Sequence, residues 1–226
     1  MTEEANDVLQ KGNVLLGVAE KYASPPAETG IAASLAADLK AEIETCSLNN
    51  TLQQRAVQTV DDLTNIQNIK LEKAFTLIRK VQNGAKAEFG EEDKVRMREF
   101  HVGSKIPNTV KGINAELEYL KTPAQAHLAE LGKHGITDAT IALLGTSSVD
   151  LTKADAEQEN AKKLRKNATK ARDAAVDDLK KLMRKVRSSA KSVFEDSPEI
   201  LTEFEPIPAG RSAGKTEAPP AEPPVK

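Results

Sequence analysis

The sequence predicts an all-α protein made of two tandem helical repeats of about 105 residues each. Three observations carry this. Almost every segment spaces its apolar residues at steps of three and four. Aromatics are scarce, with no Trp, two Tyr and five Phe, so the core must be built from Ala, Leu, Val and Ile, which suits thin helix–helix seams better than a sandwich or barrel. The chain also spells nearly the same thirteen residues twice, LIRKVQNGAKAEF at 77–89 and LMRKVRSSAKSVF at 182–194.

The elements follow in order. Residues 3–23 place Val8, Leu9, Leu15, Leu16, Ala19 and Tyr22 along one helical stripe. SPPAETG at 24–30 breaks the chain with two prolines and a glycine. A second helix over 31–46 carries Ile31, Leu35, Leu39 and Ile43 at spacing four. A long helix over 50–89 contains no proline. Its apolar positions are Leu52, Ala56, Val60, Leu63, Leu71, Ala74, Ile78, Val81 and Ala85, with Asn49 or Asn50 as its cap. The break before it is weakly marked, so the second and third helices also read as one kinked rod. A short helix near 91–101 ends at Gly103.

The plan then restarts. Pro107 opens a helix to 120, and Thr122-Pro123 opens another to 134, with Gly135 at its left-handed C-terminal cap. Thr137 caps a short helix to 144, and GTSSVD at 145–150 reads as a break. A second long helix over 151–194 carries Ala161, Leu164, Ala168, Ala171, Ala175, Leu179, Leu182, Val186 and Ala190. Its small alanine seam implies a close neighbouring helix. Ser197 and Pro198 cap and open a last short helix to Phe204, and the tail 209–226 is too polar and Pro-rich for a core.

Residues 30–89 align with 135–194 at an offset of 105 without a gap, pairing Gly30/Gly135, Ile31/Ile136, Leu39/Leu144 and Ala56/Ala161. Seven of the thirteen positions in the repeated stretch are identical, including Arg79/Arg184, Lys80/Lys185 and Phe89/Phe194, and a one-residue slip brings Phe100 onto Phe204. Internal duplication accounts for this most simply. It divides the chain into repeat 1 (1–104), repeat 2 (105–208) and a disordered Pro/Ala/Glu-rich tail (209–226). The two long helices are expected to lie antiparallel about a pseudo-twofold axis in one elongated bundle, the alternative being two small bundles. Phe89 and Phe194 are expected to pack under the short helix that follows each.

The single cysteine, Cys46, excludes an internal disulfide and fits a reducing, cytoplasmic setting. It aligns with Leu151, which predicts a buried packing thiol. The acidic start MTEEANDVLQKG has no apolar stretch of a signal peptide, and apolar runs such as VLLGVA are far too short to span a bilayer. No GxGxxG, P-loop, GxSxG or CxxC motif occurs, so the sequence carries no positive argument for an enzyme, a cofactor or a metal. His127 and His134 share a helix face with Glu130, but no Glu-x-x-His of the di-iron kind occurs.

The strongest functional pattern is charge. Between Lys162 and Lys191 there are twelve Lys or Arg against three Asp, a net of +9, in a chain of net −2. A run of this kind can follow a phosphate backbone without reading bases, although it lacks aromatic stacking platforms. The bland account is a solvated face neutralised by acidic helices in cis, just as Arg79-Lys80 and Arg184-Lys185 suit the negative ends of their helices. The residues that would touch an anion or partner are Arg79, Lys80, Lys162, Lys163, Arg165, Lys166, Arg184, Lys185 and Arg187. Asn and Gln residues between 50 and 70 are candidates for a polar layer that fixes helix register.

The order of short helix, Pro-rich turn and long charged helix, closed by GEEDKVRMREF or EDSPEILTEF, resembles uncharacterised bacterial tandem-repeat helical proteins with Pro-rich tails. That resemblance implies no activity and no site residues. The expected function is therefore a non-enzymatic structural or protein-interaction role, through self-assembly or a protein partner. Sequence-independent polyanion or nucleic-acid binding through 162–191 is the alternative, and an enzyme or ligand carrier with a site inside the bundle is a third reading. No membrane partner is expected.

Overall fold

The computed structural model describes residues 2–24, 30–90 and 92–205. The expected tail 209–226 lies outside them. The described chain is all-α apart from one two-residue parallel pairing, β1 (Ala23–Ser24) with β2 (Ile31–Ala32). The helices are α1 (Thr2–Lys21), α2 (Ala33–Phe89), α3 (Lys94–Glu99), α4 (Val110–Ala126), α5 (Leu128–Leu131), α6 (Asp138–Val193) and α7 (Pro198–Phe204), with a 3-10 turn at Gly132–His134. They pack as two compact units. The first comprises Met1–Thr51 and Lys170–Lys226, the second Leu52–Thr169.

In the first unit, the three-and-four spacing of α1 lays Ala5, Val8, Leu15 and Ala19 into the core. The start of α2 adds Leu35, Leu39, Ile43 and Cys46, and the end of α6 adds Ala175, Leu179, Met183, Val186 and Ala190. Each large aliphatic side chain sealed this way contributes about 1.5–3 kcal/mol. Three rings close the end of this core: Tyr22 stands edge-on to Phe194 at 5.4 Å and 5.9 Å from Phe204, and Phe194 stacks on Phe204 at 6.1 Å. Polar clasps hold α7 there. The Tyr22 hydroxyl and the Lys21 ammonium both donate to Glu203 at 2.8 Å, and Arg187 Nε donates to the Phe204 carbonyl at 3.0 Å.

In the second unit, α4 supplies Ile113, Leu117, Leu120 and Ala124. The start of α6 supplies Ile141, Leu144 and Leu151, and the end of α2 supplies Ala74, Ile78, Val81 and Ala85. Its end is also closed by three rings. His127 stands edge-on to Phe89 at 5.3 Å and 6.0 Å from Phe100, and Phe89 stacks on Phe100 at 5.9 Å. Glu99 of α3 lies 3.4 Å from His127 Nε2, and Gln82 Nε2 donates to the His101 carbonyl at 3.3 Å. Phe89 and Phe194 thus pack against the short helices that follow them, as expected. Within this unit α2 and α6 run antiparallel: Gln67 Nε2 donates to Asp155 at 2.7 Å, Gln158 Nε2 to Thr64 Oγ1 at 2.9 Å, and Lys70 pairs with Asp150 at 3.0 Å.

Several sequence expectations need correction. Of the two readings for 31–46 and 50–89, separate helices or one rod, the structure has the second, a single helix of 57 residues from Ala33 to Phe89. Asn50 caps nothing: it is buried mid-helix and donates to Asn6 Oδ1 at 2.9 Å. GTSSVD is not a break, because α6 runs through it unbroken. Leu144 and Leu151, both fully buried, pin the two sides of that stretch. Thr146 and Thr152 bond back to carbonyls three or four residues earlier, Ala142, Leu143 and Ser148, so burial overrides weak helix propensity. Pro123 does not start a helix either. It lies inside α4, flanked by the fully buried Leu120 and Ala124, and the chain breaks only at His127. Ser197 precedes α7 without a side-chain cap bond. Two glycines are required by their surroundings. Gly135 has φ 76°, and a Cβ on Gly112 would lie 2.5 Å from the Pro107 ring.

Candidate functional site

The basic run on α6 divides into three kinds of environment. Some cations are neutralised in cis: Lys162 pairs with Glu159 at 2.8 Å, Lys180 with Glu4 at 3.0 Å and Lys181 with Asp178 at 2.8 Å. These bonds hold the Glu159 and Glu4 carboxyls below their ordinary value and raise the Lys181 ammonium. Two are structural. Arg172 is 3% exposed and lies on Asp173, and Arg187 clasps α7, its guanidinium pulled below its ordinary value by burial. The third group, Lys163, Arg165, Lys166, Lys170, Lys185 and Lys191, is exposed and has no ion pair among the described residues. Residues 162–167 are all exposed, more than a full helical turn, and Leu164 within it is 66% exposed.

The four matched cations near the helix ends are all exposed. Arg79 covers the Phe75 ring at 5.8 Å, Lys80 reaches Thr140 Oγ1 at 3.5 Å, and Arg184 Nε donates to the Lys180 carbonyl at 3.3 Å. Arg184 and Arg187 also edge an open groove of about 360 Å³ in the first unit, beside Glu4, Asp7, Lys11 and Lys180. Most of its charges are already spent on one another, Lys11 on Asp7 at 2.6 Å and Lys180 on Glu4.

The three histidines are not brought together. His101 stacks on Tyr119 at 4.3 Å and bonds Glu116 at 2.9 Å; this non-glycine residue holds φ 51°. His127 sits among Phe89, Phe100, Glu99 and Glu130, while His134 turns away to Glu88 at 2.8 Å. Among the described residues no group of three or more His, Cys, Asp or Glu is placed to hold a metal ion. No described helix is long and apolar enough to cross a membrane. Cys46 is fully buried, which pushes its thiol up from its ordinary value. The polar layer exists in part: Asn50, Gln53 and Gln67 are buried, while Gln54, Gln58, Asn65 and Asn68 are exposed.

A second surface went unread in the sequence. Leu52, placed with the core positions, is 45% exposed, and Ile66 and Ile69 are 42% and 52% exposed. Leu164 and Ala171 likewise leave the expected core stripe. The available signal was register. Ile66 and Ile69 fall out of step with Leu71, Ala74, Ile78 and Val81, and in step with Leu52, Arg55, Thr59 and Asp62. Comparison of the chain with protein-family models, curated proteins and solved structures returns no match.

Proposed function

We propose that this chain is a non-enzymatic interaction protein, working in the cytoplasm, whose duplicated helical framework presents the outer faces of its long helices to protein partners. The observation that carries this is the aliphatic stripe of Leu52, Ile66 and Ile69, exposed on α2 outside the core of its own unit. Large apolar side chains aligned on one face mark an interaction site more often than scattered ones do. The cytoplasmic setting rests on the lone, buried thiol of Cys46. Co-purification on tagged chain from its source cells tests the reading. Proteins that bind the parent chain and are lost from an Ile66→Glu, Ile69→Lys variant support it; an identical retinue on both overturns it.

Internal duplication is supported by the two ring clusters. At the offset of 105, Tyr22 matches His127 and Phe194 matches Phe89; Phe204 matches Phe100 one residue out of step. The matched centroid separations differ by no more than 0.2 Å. The clasps match as well, Arg187 with Gln82 and Glu203 with Glu99. Each compact unit combines the opening of one repeat with the close of the other.

A second reading, polyanion binding, is favoured by the fully exposed basic turn at 162–167. Among the described residues Lys163, Arg165 and Lys166 have no ion pair to release before meeting a phosphate, so binding should weaken steeply with salt. Size-exclusion chromatography at moderate and high salt, read at 260 and 280 nm, tests this on the purified protein. A nucleic-acid-rich peak that high salt strips away supports it, and a clean peak at moderate salt counts against it.

A further inference from the structure

We propose that the exposed stripe of α2 is a self-pairing surface, on which two copies of this chain dock antiparallel. The inference rests on the interaction-protein reading and names the partner. Leu52, Arg55, Thr59, Asp62, Ile66 and Ile69 follow one another at steps of three, four, three, four and three. That is the seam spacing of paired helices, and all six are exposed. All six lie in the second unit, on a stretch of helix about 25 Å long.

The order of chemistry along the stripe selects the partner. Aliphatic residues stand at its two ends and polar ones in its middle. Arg55 and Asp62 lie on opposite sides of the centre and carry opposite charges. Under a two-fold axis between Thr59 and Asp62, Leu52 meets the second copy's Ile69 at both ends. The Arg55 stem lies over the second copy's Ile66, and its guanidinium reaches the second copy's Asp62 one turn along. An isologous contact of this kind satisfies itself twice. Parallel pairing of the same stripes would set Arg55 against Arg55 and Asp62 against Asp62, two like-charge layers. Among the described residues neither charge has an ion pair, and Asp62 accepts the neutral Gln58 amide at 2.9 Å.

The test is sedimentation or light scattering on the purified full-length chain across a roughly hundredfold dilution series. The expected result is a dimer that dissociates on dilution to the 24.4 kDa monomer. Ile66→Glu should abolish it. Arg55→Asp and Asp62→Arg should each weaken it about tenfold or more, and the double variant should recover it, because reversing both charges restores the pair. Every altered residue is exposed, so helical circular dichroism should stay at the parent level in all four variants. A monomer at every concentration, a dimer indifferent to Ile66→Glu, or a double variant no better than the single ones would each overturn the proposal. A monomer whose Ile66→Glu, Ile69→Lys variant still loses co-purifying proteins removes only self-pairing; a monomer with no such loss removes the broader reading too.

Discussion

Phe194, 8% exposed just past the end of α6, packs against both Tyr22 and Phe204; Phe89, 9% exposed at the end of α2, packs in the same way against His127 and Phe100. Truncating either leaves a cavity that its stacked neighbours cannot close, so Phe194→Ala and Phe89→Ala should each cost about 3–5 kcal/mol in chemical denaturation. A loss under about 1 kcal/mol would mean that the cluster repacks. The carboxylate beside Tyr22 adds a pH signature. Hydrogen bonds from Lys21 and Tyr22 hold Glu203 below its ordinary value of 4.5. A depressed carboxylate contributes stability above its unfolded value and loses it as pH falls through the folded one. Glu203→Gln should therefore melt below the parent chain at pH 7, and that gap should close as the buffer is taken down through and below 4.5. A gap that stays constant with pH would assign the loss to packing and not to charge.

At the scale of elements, helix identity was legible and helix ends were not. Spacing in steps of three and four depends on local sequence alone, so it marked α1, α4 and both long helices. Whether a weak stretch breaks depends on what buries its flanks, and sequence distance hides that. Pro123 and GTSSVD look like punctuation, yet Leu120, Ala124, Leu144 and Leu151 are fully buried around them. The same limit applied to the basic run. Its charge was plain in the sequence, but the acid that neutralises Lys180 is Glu4, 176 positions away. The start of the run, Lys163 to Lys166, keeps the exposure that the pattern suggested and has no ion pair among the described residues. Continuity of α6 has a direct consequence at Gly145. A Cβ there would meet only the flexible end of Lys121, at 3.4 Å. Gly145→Ala should raise stability by about 0.5–1 kcal/mol, as expected for a glycine inside a helix. A neutral or negative result in thermal denaturation would restore the break.

For the whole molecule, the informative fact is that the first core is assembled from the two distant ends of the chain, while the second lies within one continuous stretch. The first unit joins residues before Leu52 to residues after Thr169, and α2 and α6 each supply one end to either unit. Cys46, the single thiol of the chain, lies fully buried in the first core against this background. Its reaction with a thiol reagent under native conditions therefore requires opening of that core. Burial also raises the thiol above its ordinary value, which keeps it in the unreactive form even when a reagent approaches. Phe194→Ala weakens the core that holds Cys46 and should speed labelling by about the factor its stability loss implies, tenfold for each 1.4 kcal/mol. Phe89→Ala weakens the other core. If the units open separately, Cys46 labelling in Phe89→Ala should match the parent chain, because the ring it removes belongs to the cluster of Ile113, Leu120 and Leu144. Equal acceleration in both variants would show that the two cores open as one, with the continuous helices α2 and α6 shared between them carrying the loss.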